Sequence, residues 1–174
     1  MKLATEETYL RALDRKDDRP QRPVLTFVVS AETYGVELRS IREIIKLVEI
    51  TEVPRAPRFV LGVTSVRGAI IPVIDLRLRL RLDATPPTRA ARILVVQHDV
   101  EPYGLLVDAV RGVVKFTDAD IEPPPSTLAA DDTRLLAGIG RYGEGRRERM
   151  VILLQLGAVV AFEIRAARRR RESP

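Results

Sequence analysis

The chain is built from short apolar segments separated by polar turns, and most of these segments have the composition of β-strands. Val24–Val29 and Tyr34–Leu38 are rich in β-branched and aromatic residues and lie on either side of a short polar turn. Leu61–Val66 and Ala69–Ile74 flank the dipeptide Arg67-Gly68, which predicts a tight strand–turn–strand unit. Further strands are predicted over Arg92–Gln97, Gly104–Phe116, Leu135–Gly140 and Met150–Leu156. Many short strands bounded by glycine and proline predict a mainly β fold of the sandwich or barrel class.

Three segments carry helical signals. In Ser40–Ile45 the apolar positions have helical spacing and a Ser-x-x-Glu capping box opens the segment, which predicts one or two helical turns. Leu76–Leu82 alternates strictly and by its period predicts a strand, whereas Asp75 just before it suits the N-cap of a short helix. Ala158–Arg171 is the strongest helix candidate, since its last turns carry arginines, which suit the negative end of a helix dipole.

Composition divides the 174 residues into three parts. Residues 1–22 form a polar N-terminal extension, residues 23–157 form one domain, and residues 158–174 form a C-terminal helix with an arginine-rich tail. Hydrophobic residues make up 45% of the chain, which is enough to bury a sizeable core. The chain has no cysteine, so disulfides, thiolate metal sites and a cysteine nucleophile are excluded.

The formal charge of +5 invites a nucleic-acid function, so its distribution along the chain matters. Arg165–Pro174 carries five arginines and one glutamate, so +4 of the charge lies in the tail and the remainder of the chain is near neutral at +1. Aromatic residues make up only 5%, too few for a ladder of base-stacking platforms. We therefore expect no nucleic-acid partner, and a basic nucleic-acid-binding β-barrel protein is the alternative that the tail keeps open.

Membrane targeting is not expected from the sequence. Met1–Glu7 lacks the apolar core of a signal peptide. The longest mostly apolar run, Met150–Ile164, is too short to span a bilayer. These features predict a cytoplasmic protein without direct membrane insertion.

The motifs that could carry catalysis or ligand binding have plainer interpretations. Gly138–Gly143 fits Gly-x-Gly-x-x-Gly, but it leads into a further predicted strand rather than a helix, so we expect a hairpin loop and no nucleotide site. His98 is the only histidine, it follows a predicted strand, and no serine has a nucleophile-elbow pattern. The sequence therefore predicts no catalytic residue, no cofactor and no metal site.

The central part of the chain contains three blocks in a recognisable order, Ser40–Ile44, Val53–Val63 and Arg67–Leu76. The third block, Arg-Gly-Ala-Ile-Ile-Pro-Val-Ile-Asp-Leu, is highly specific. Later blocks follow in the same order at Gly104–Val110, Ile121–Pro125, Leu136–Gly140 and Arg149–Leu154. Over about residues 24 to 157, the chain resembles the CheW family of chemotaxis coupling proteins.

This resemblance implies a fold of two SH3-like five-stranded β-barrel subdomains packed together, with short helical turns and a C-terminal helix. It also implies that Asp75-Leu76-Arg77 opens a helical turn, against the alternation of that segment. We adopt the helical interpretation there, because Asp75 supplies a cap and the alternation is the weaker signal beside a specific motif.

The resemblance implies binding rather than catalysis. Adaptors of this family bind the cytoplasmic tip of a helical chemoreceptor hairpin and the regulatory domain of a CheA-type histidine kinase, in rings with other CheW-like domains. We therefore expect a non-enzymatic, cytoplasmic adaptor at chemosensory arrays with these partners. A detached regulatory module of a kinase or of a receiver-containing adaptor is a weaker alternative, because no phosphoacceptor receiver pattern fits in 174 residues.

Eight positions acquire predicted contact roles from the resemblance. Arg67 matches a turn arginine that the family associates with receptor contact and with ordering of the loop. Glu43 could instead close a capping box, and Gly68 could serve only to supply a positive φ. The remaining predicted positions are Ile41 with Glu43 on the first barrel, Gly62 and Gly68 beside the turn, and Arg92, Ile93 and Tyr103 on the second barrel where it would face the receptor.

Overall fold

The computed structural model describes residues 19–162, apart from the side chain of Asp132. Positions 1–18 of the predicted extension and the arginine-rich tail from position 163 therefore lie outside the described residues. The strands are β1 (Arg22–Val29), β2 (Glu32–Glu37), β3 (Ile41–Ile45), β4 (Val60–Val66), β5 (Ala69–Asp75), β6 (Arg92–His98), β7 (Glu101–Val107), β8 (Ala109–Phe116), β9 (Ile121–Glu122), β10 (Leu136–Tyr142) and β11 (Arg149–Leu154). The short helices are α1 (Leu76–Arg79), α2 (Ala130–Thr133) and α3 (Leu156–Val159), and 3₁₀ turns lie at Leu38–Ser40, Asp118–Asp120 and Gly145–Arg147.

The strands form two sheets. One has six strands in the order β8-β1-β2-β11-β10-β9, and the other has five in the order β3-β6-β7-β5-β4. The predicted fold class, mainly β with two subdomains, is confirmed. The sixth strand of the first sheet is the two-residue β9, which pairs with β10. Among residues 19–162, no helix is long and apolar enough to cross a membrane.

The five-stranded sheet curls until the chain that follows β3 meets β4. The N–H of Thr51 donates to the Val63 carbonyl at 2.9 Å, and the N–H of Val63 donates back to the Thr51 carbonyl at 2.8 Å. The hydroxyl of Thr64 donates to the Glu49 carbonyl at 2.8 Å. These bonds satisfy the outer edge of β4, which would otherwise be open to another strand.

The two sheets are joined where one continuous segment changes sheet. The sequence predicted a single strand over Gly104–Phe116 that was long enough to bend, and the structure breaks it at Asp108 into β7 and β8. The Asp108 carboxylate accepts two hydrogen bonds from Arg77 of α1, at 3.0 and 2.6 Å, and one from the N–H of Ser30 at 2.7 Å. This contact ties the crossing point to α1 and to the turn between β1 and β2.

The main core lies between the two sheets, and its buried residues come from both. They are Leu25, Phe27, Val29, Tyr34, Val36, Ile74, Leu76, Leu94, Val96, Leu105, Val107, Leu135, Leu154, Val159 and Val160. Each large side chain buried here contributes roughly 1.5–3 kcal/mol, so the shared core holds the sheets together. Other buried residues lie within the five-stranded sheet itself, where Val73 and Ile93 both pack against Gly104.

The helical start predicted at Asp75 is confirmed. The Asp75 carboxylate accepts from the N–H of Arg77 at 2.8 Å and from the N–H of Leu78 at 3.4 Å, as an N-cap residue does. The cap satisfies amide groups that the first turn of a helix leaves free. The strict alternation of the following segment therefore does not form a strand.

The helical turns predicted for Ser40–Ile45 are wrong. A 3₁₀ turn ends at Ser40, and the following five residues form β3, which pairs antiparallel with β6. The Ser40 hydroxyl donates to the Glu37 carbonyl at 2.6 Å, and Glu43 accepts from Arg67, so neither closes a capping box. Three of the five β3 residues are isoleucines, and pairing with a neighbouring strand outweighs their helical spacing.

Most of the C-terminal helix predicted over Ala158–Arg171 lies outside the described residues, and in the described part only the short helix α3 is present. It begins two residues earlier, ends after four residues, and is followed by three residues that are not helical. Arg79 of α1 donates to the carbonyls of Ala158, Val159 and Ala161 at 2.6, 2.8 and 3.3 Å. The guanidinium thus takes acceptors that a continuing helix would need for its own amides.

Candidate partner-binding surface

The turn between β4 and β5 has an unusual backbone. Val66 pairs with Ala69, which leaves Arg67 and Gly68 as the two central residues of the hairpin. Their φ angles are 50° and 82°, and a type I′ turn requires positive φ at both positions. Glycine adopts this conformation freely, whereas an arginine there costs roughly 1–2 kcal/mol. The turn therefore carries strain at Arg67.

The Arg67 side chain stands out from this turn. It is 81% exposed, and its Nε donates to Oε1 of Glu43 on β3 at 2.9 Å. This hydrogen bond raises the pKa of Arg67, which stays charged. The pair joins the hairpin tip to β3, the strand that the closed sheet brings beside it. Its neighbour Ile70 is 75% exposed, so a cation and an apolar side chain lie together at the tip.

The two predicted glycines have different physical roles. A Cβ on Gly62 would lie 2.0 Å from the carbonyl oxygen of Thr51, and its φ is 145°. Gly62 therefore permits the close approach that closes the sheet behind the hairpin. Gly68 has open space around its Cβ position, so only its positive φ favours glycine.

The other four predicted positions also lie in the five-stranded sheet. Their predicted division between two barrels is wrong, because Ile41 of β3 pairs with Val96 of β6, which pairs with Tyr103 of β7. Ile41 and Tyr103 are half-buried against the main core. Arg92 is half-buried and donates to nearby backbone carbonyls. Ile93 is fully buried, so its side chain offers no surface.

The structure thus brings Arg67, Glu43, Gly62 and Gly68 together around one hairpin. The family profile of the CheW-like domain matches residues 23–163, which is most of the chain. The chain belongs to the CheW-like family.

This CheW-like chain is similar to named CheW proteins both in sequence and in structure. The chemotaxis protein CheW of Rhizobium meliloti (strain 1021) is 37% identical over 146 residues, covering 84% of this chain and 92% of that protein. The chemotaxis protein CheW of Helicobacter pylori (strain ATCC 700392 / 26695) is 32% identical, covering 84% and 86%. The crystal structure of the scaffolding protein TtCheW from Thermoanaerobacter tengcongensis is 32% identical with a TM-score of 0.71, covering 78% of this chain and 90% of that one.

Two features of the CheW-like surface were missed by sequence reasoning. Ile70 is exposed beside Arg67, and the period of two along β5 could have found it, because Ile71 next to it is buried. The pairing of Arg67 with Glu43 has no sequence signal, because it depends on closure of the sheet. Gly138–Gly143 runs from β10 into the loop of a hairpin, as predicted, and the 3₁₀ turn at Gly145–Arg147 leads from it into strand β11.

Proposed function

We propose that this chain is a non-enzymatic adaptor that couples chemoreceptors to a CheA-type histidine kinase in a chemosensory array. Membership of the CheW-like family supports the proposal, as do relatives that are named chemotaxis and scaffolding proteins. The adaptor is cytoplasmic in this proposal. It binds the receptor tip and the regulatory domain of the kinase, and it assembles in rings with other CheW-like domains.

The strained arginine at the hairpin tip is the observation that carries the proposal. Holding Arg67 at positive φ costs about 1–2 kcal/mol. Its ion pair with Glu43 is exposed, and exposed pairs contribute only about 0–1 kcal/mol. Since contacts within the chain do not offset the cost, a contact with a partner accounts for the arginine at this position.

The hairpin tip suits the surface of a helical receptor. Arg67 can donate several hydrogen bonds to carboxylates or carbonyls there, and Ile70 can bury its side chain against apolar positions. Gly62 shapes the hairpin from behind. Glu43 holds the guanidinium in place when no partner is bound, and Ile41 and Tyr103 lie on the same sheet. Arg92 pairs with Val107, beyond the end of β5 that is opposite the tip, so it lies apart from this contact.

Binding of the full chain to a receptor-tip fragment and to the kinase regulatory domain tests this function. Titration calorimetry should give defined affinities for both, and the three proteins should co-elute as one complex. Ile70→Asp should weaken the affinity for the receptor-tip fragment by about tenfold or more, because burying an isoleucine is worth roughly 1.5–3 kcal/mol. Val100→Asp changes a side chain that is 83% exposed on another turn, and it should leave both affinities unchanged.

The same titrations can refute the proposal. A chain that binds neither protein is not an adaptor of this kind. Tight binding of duplex DNA with a steep dependence on salt, in place of both proteins, would favour the nucleic-acid alternative.

A further inference from the structure

A small groove, which is not lined by any residue of the β4–β5 hairpin that carries Arg67, combines an apolar floor with a basic rim. Its floor is formed by Leu80, Leu135, Leu136 and Ile152, and Arg79 and Arg81 line its rim. The cavity has a volume of about 200 Å³. Pockets for whole small molecules usually measure about 300–1,000 Å³, so this one is closer in size to a single large side chain.

The rim residue Arg81 occupies a position that normally takes glycine. Helix α1 ends in a Schellman motif, in which the N–H of Leu82 donates to the Arg77 carbonyl at 2.8 Å and the N–H of Arg81 donates to the Leu78 carbonyl at 3.1 Å. Arg81 is the left-handed residue of this motif, with a φ of 60°. An arginine there is strained by about 1–2 kcal/mol, which calls for a role beyond ending the helix.

The rim has more positive charge than its neighbours neutralise. Burial, with smaller contributions from Arg134 and Arg81, lowers the pKa of Arg79, which remains charged. Arg79 lies 4.4 Å from the centre of the Phe59 ring and otherwise bonds to carbonyls. Among the side chains that the structure describes, no carboxylate forms an ion pair with Arg79, Arg81 or Arg134. Asp131 lines the same groove without reaching them.

The last described residues of the chain lie beside this rim. Arg79 holds the carbonyls of Ala158, Val159 and Ala161, so the chain leaves the described part of the domain at the edge of the groove. The sequence then continues with five arginines in its last ten residues.

We propose that this groove binds an acidic amphipathic segment of a partner protein. One large apolar side chain of the segment enters the floor. Its carboxylates lie against Arg81 on the rim and against Arg134, which precedes the lining residue Leu135 in the chain but does not itself line the groove. Duplex nucleic acid keeps its bases paired and stacked, so it presents no apolar group to the floor, and a lipid surface is too flat to enter it. Asp131 in the lining also disfavours a dense phosphate surface. This proposal does not rest on the Arg67 surface.

A helical peptide with glutamates flanking one leucine stripe is the probe. Fluorescence anisotropy with the full chain should show binding that weakens as salt rises. Replacing the peptide's central leucine with alanine should weaken binding by about tenfold. Replacing its glutamates with glutamines should remove most of the affinity, and unchanged binding of that peptide would overturn the proposal.

Variants of the chain separate the rim from the rest of the surface. Arg81→Asn removes the charge but tolerates positive φ, so the melting temperature should hold or rise while the peptide affinity falls about threefold. Adding Arg134→Gln should bring the loss to about tenfold. Arg146→Gln, an exposed arginine in the loop between β10 and β11, is the charge-matched control and should have no effect.

Two outcomes contradict the groove as a protein-binding site. In one, the Arg81 and Arg134 variants bind the peptide as tightly as the Arg146 control does. In the other, phosphatidylglycerol vesicles or duplex DNA bind more tightly than the peptide at the same salt concentration, which would make the surface a general site for polyanions.

Discussion

The ion pair between Arg77 and Asp108 should be the polar contact on which the arrangement of the two sheets depends most. The two side chains are only 19% and 31% exposed and share two hydrogen bonds of 3.0 and 2.6 Å. Arg77 also donates to the Thr85 hydroxyl at 3.2 Å, and Asp108 accepts the Ser30 amide. Asp108→Ala would remove the acceptor from both Arg77 and Ser30.

The expected loss follows from these contacts. Hydrogen bonds to charged groups contribute about 1.5–3 kcal/mol, and breaking a fully buried pair costs about 3–5 kcal/mol. Because water can reach part of both side chains, we expect a loss of about 2–3 kcal/mol for Asp108→Ala. For a chain of this size that corresponds to a fall of about 4–12 °C in Tm. Asp108→Asn keeps an oxygen for Ser30 and should lose about half as much.

Urea unfolding followed by circular dichroism measures these differences directly. The matched control is Glu122→Gln, which breaks an exposed pair with Arg141 whose side chains are 60% and 46% exposed. This control should change the free energy of unfolding by less than about 1 kcal/mol. If Asp108→Ala is no more destabilising than the control, the assignment of the sheet junction to this pair is wrong.

Three further predictions follow from the described contacts and from the sequence. Gly62→Ala would place a Cβ 2.0 Å from a backbone carbonyl oxygen and should lower the free energy of unfolding by about 3 kcal/mol or more. Gly68→Ala has open space for its Cβ and should lower it by about 1 kcal/mol, and urea unfolding measures both. The hydrogen bond from Arg22 holds the pKa of Glu37 below its usual value of 4.5. Ionised Glu37 therefore stabilises the fold above pH 4.5, and this stabilisation is lost as the pH falls through the lowered pKa. Glu37→Gln should therefore destabilise the chain at neutral pH and have little effect in strong acid; equal effects at both would refute the assignment. Deleting Arg168–Pro174 should leave Tm and kinase affinity nearly unchanged, and loss of either would show that the tail supports the domain.

Local patterns were sufficient where a structure is determined by neighbours in the sequence. The hairpin around Arg67 was predictable because two apolar runs flank a turn dipeptide. Helix α1 was predictable because Asp75 supplies a cap, although the alternation that follows indicates a strand. The prediction for Ser40–Ile45 failed because β6, about fifty positions later in the chain, supplies hydrogen bonds that outweigh the helical spacing.

Other features could not be predicted because they depend on tertiary contacts. The C-terminal helix ends where Arg79, about eighty positions earlier, takes its carbonyls. Ile93 is buried because both faces of β6 are covered: Leu94, Val95 and Val96 beside it are also no more than 3% exposed. The resemblance identified Arg67, but its strain, its exposure and its contact with Glu43 required the closed sheet.

The affinity of folded Arg67 variants for a receptor-tip fragment tests the central claim most directly. Arg67→Asn keeps a residue that tolerates positive φ, and Arg67→Glu reverses the charge, so both should retain their strand content. Calorimetry should show that Arg67→Glu weakens receptor binding by at least about tenfold, or roughly 1.4 kcal/mol. Arg67→Asn should have an intermediate receptor affinity, and both variants should lose less affinity for the kinase. Unchanged receptor affinity in both folded variants would contradict a partner-binding role for this hairpin.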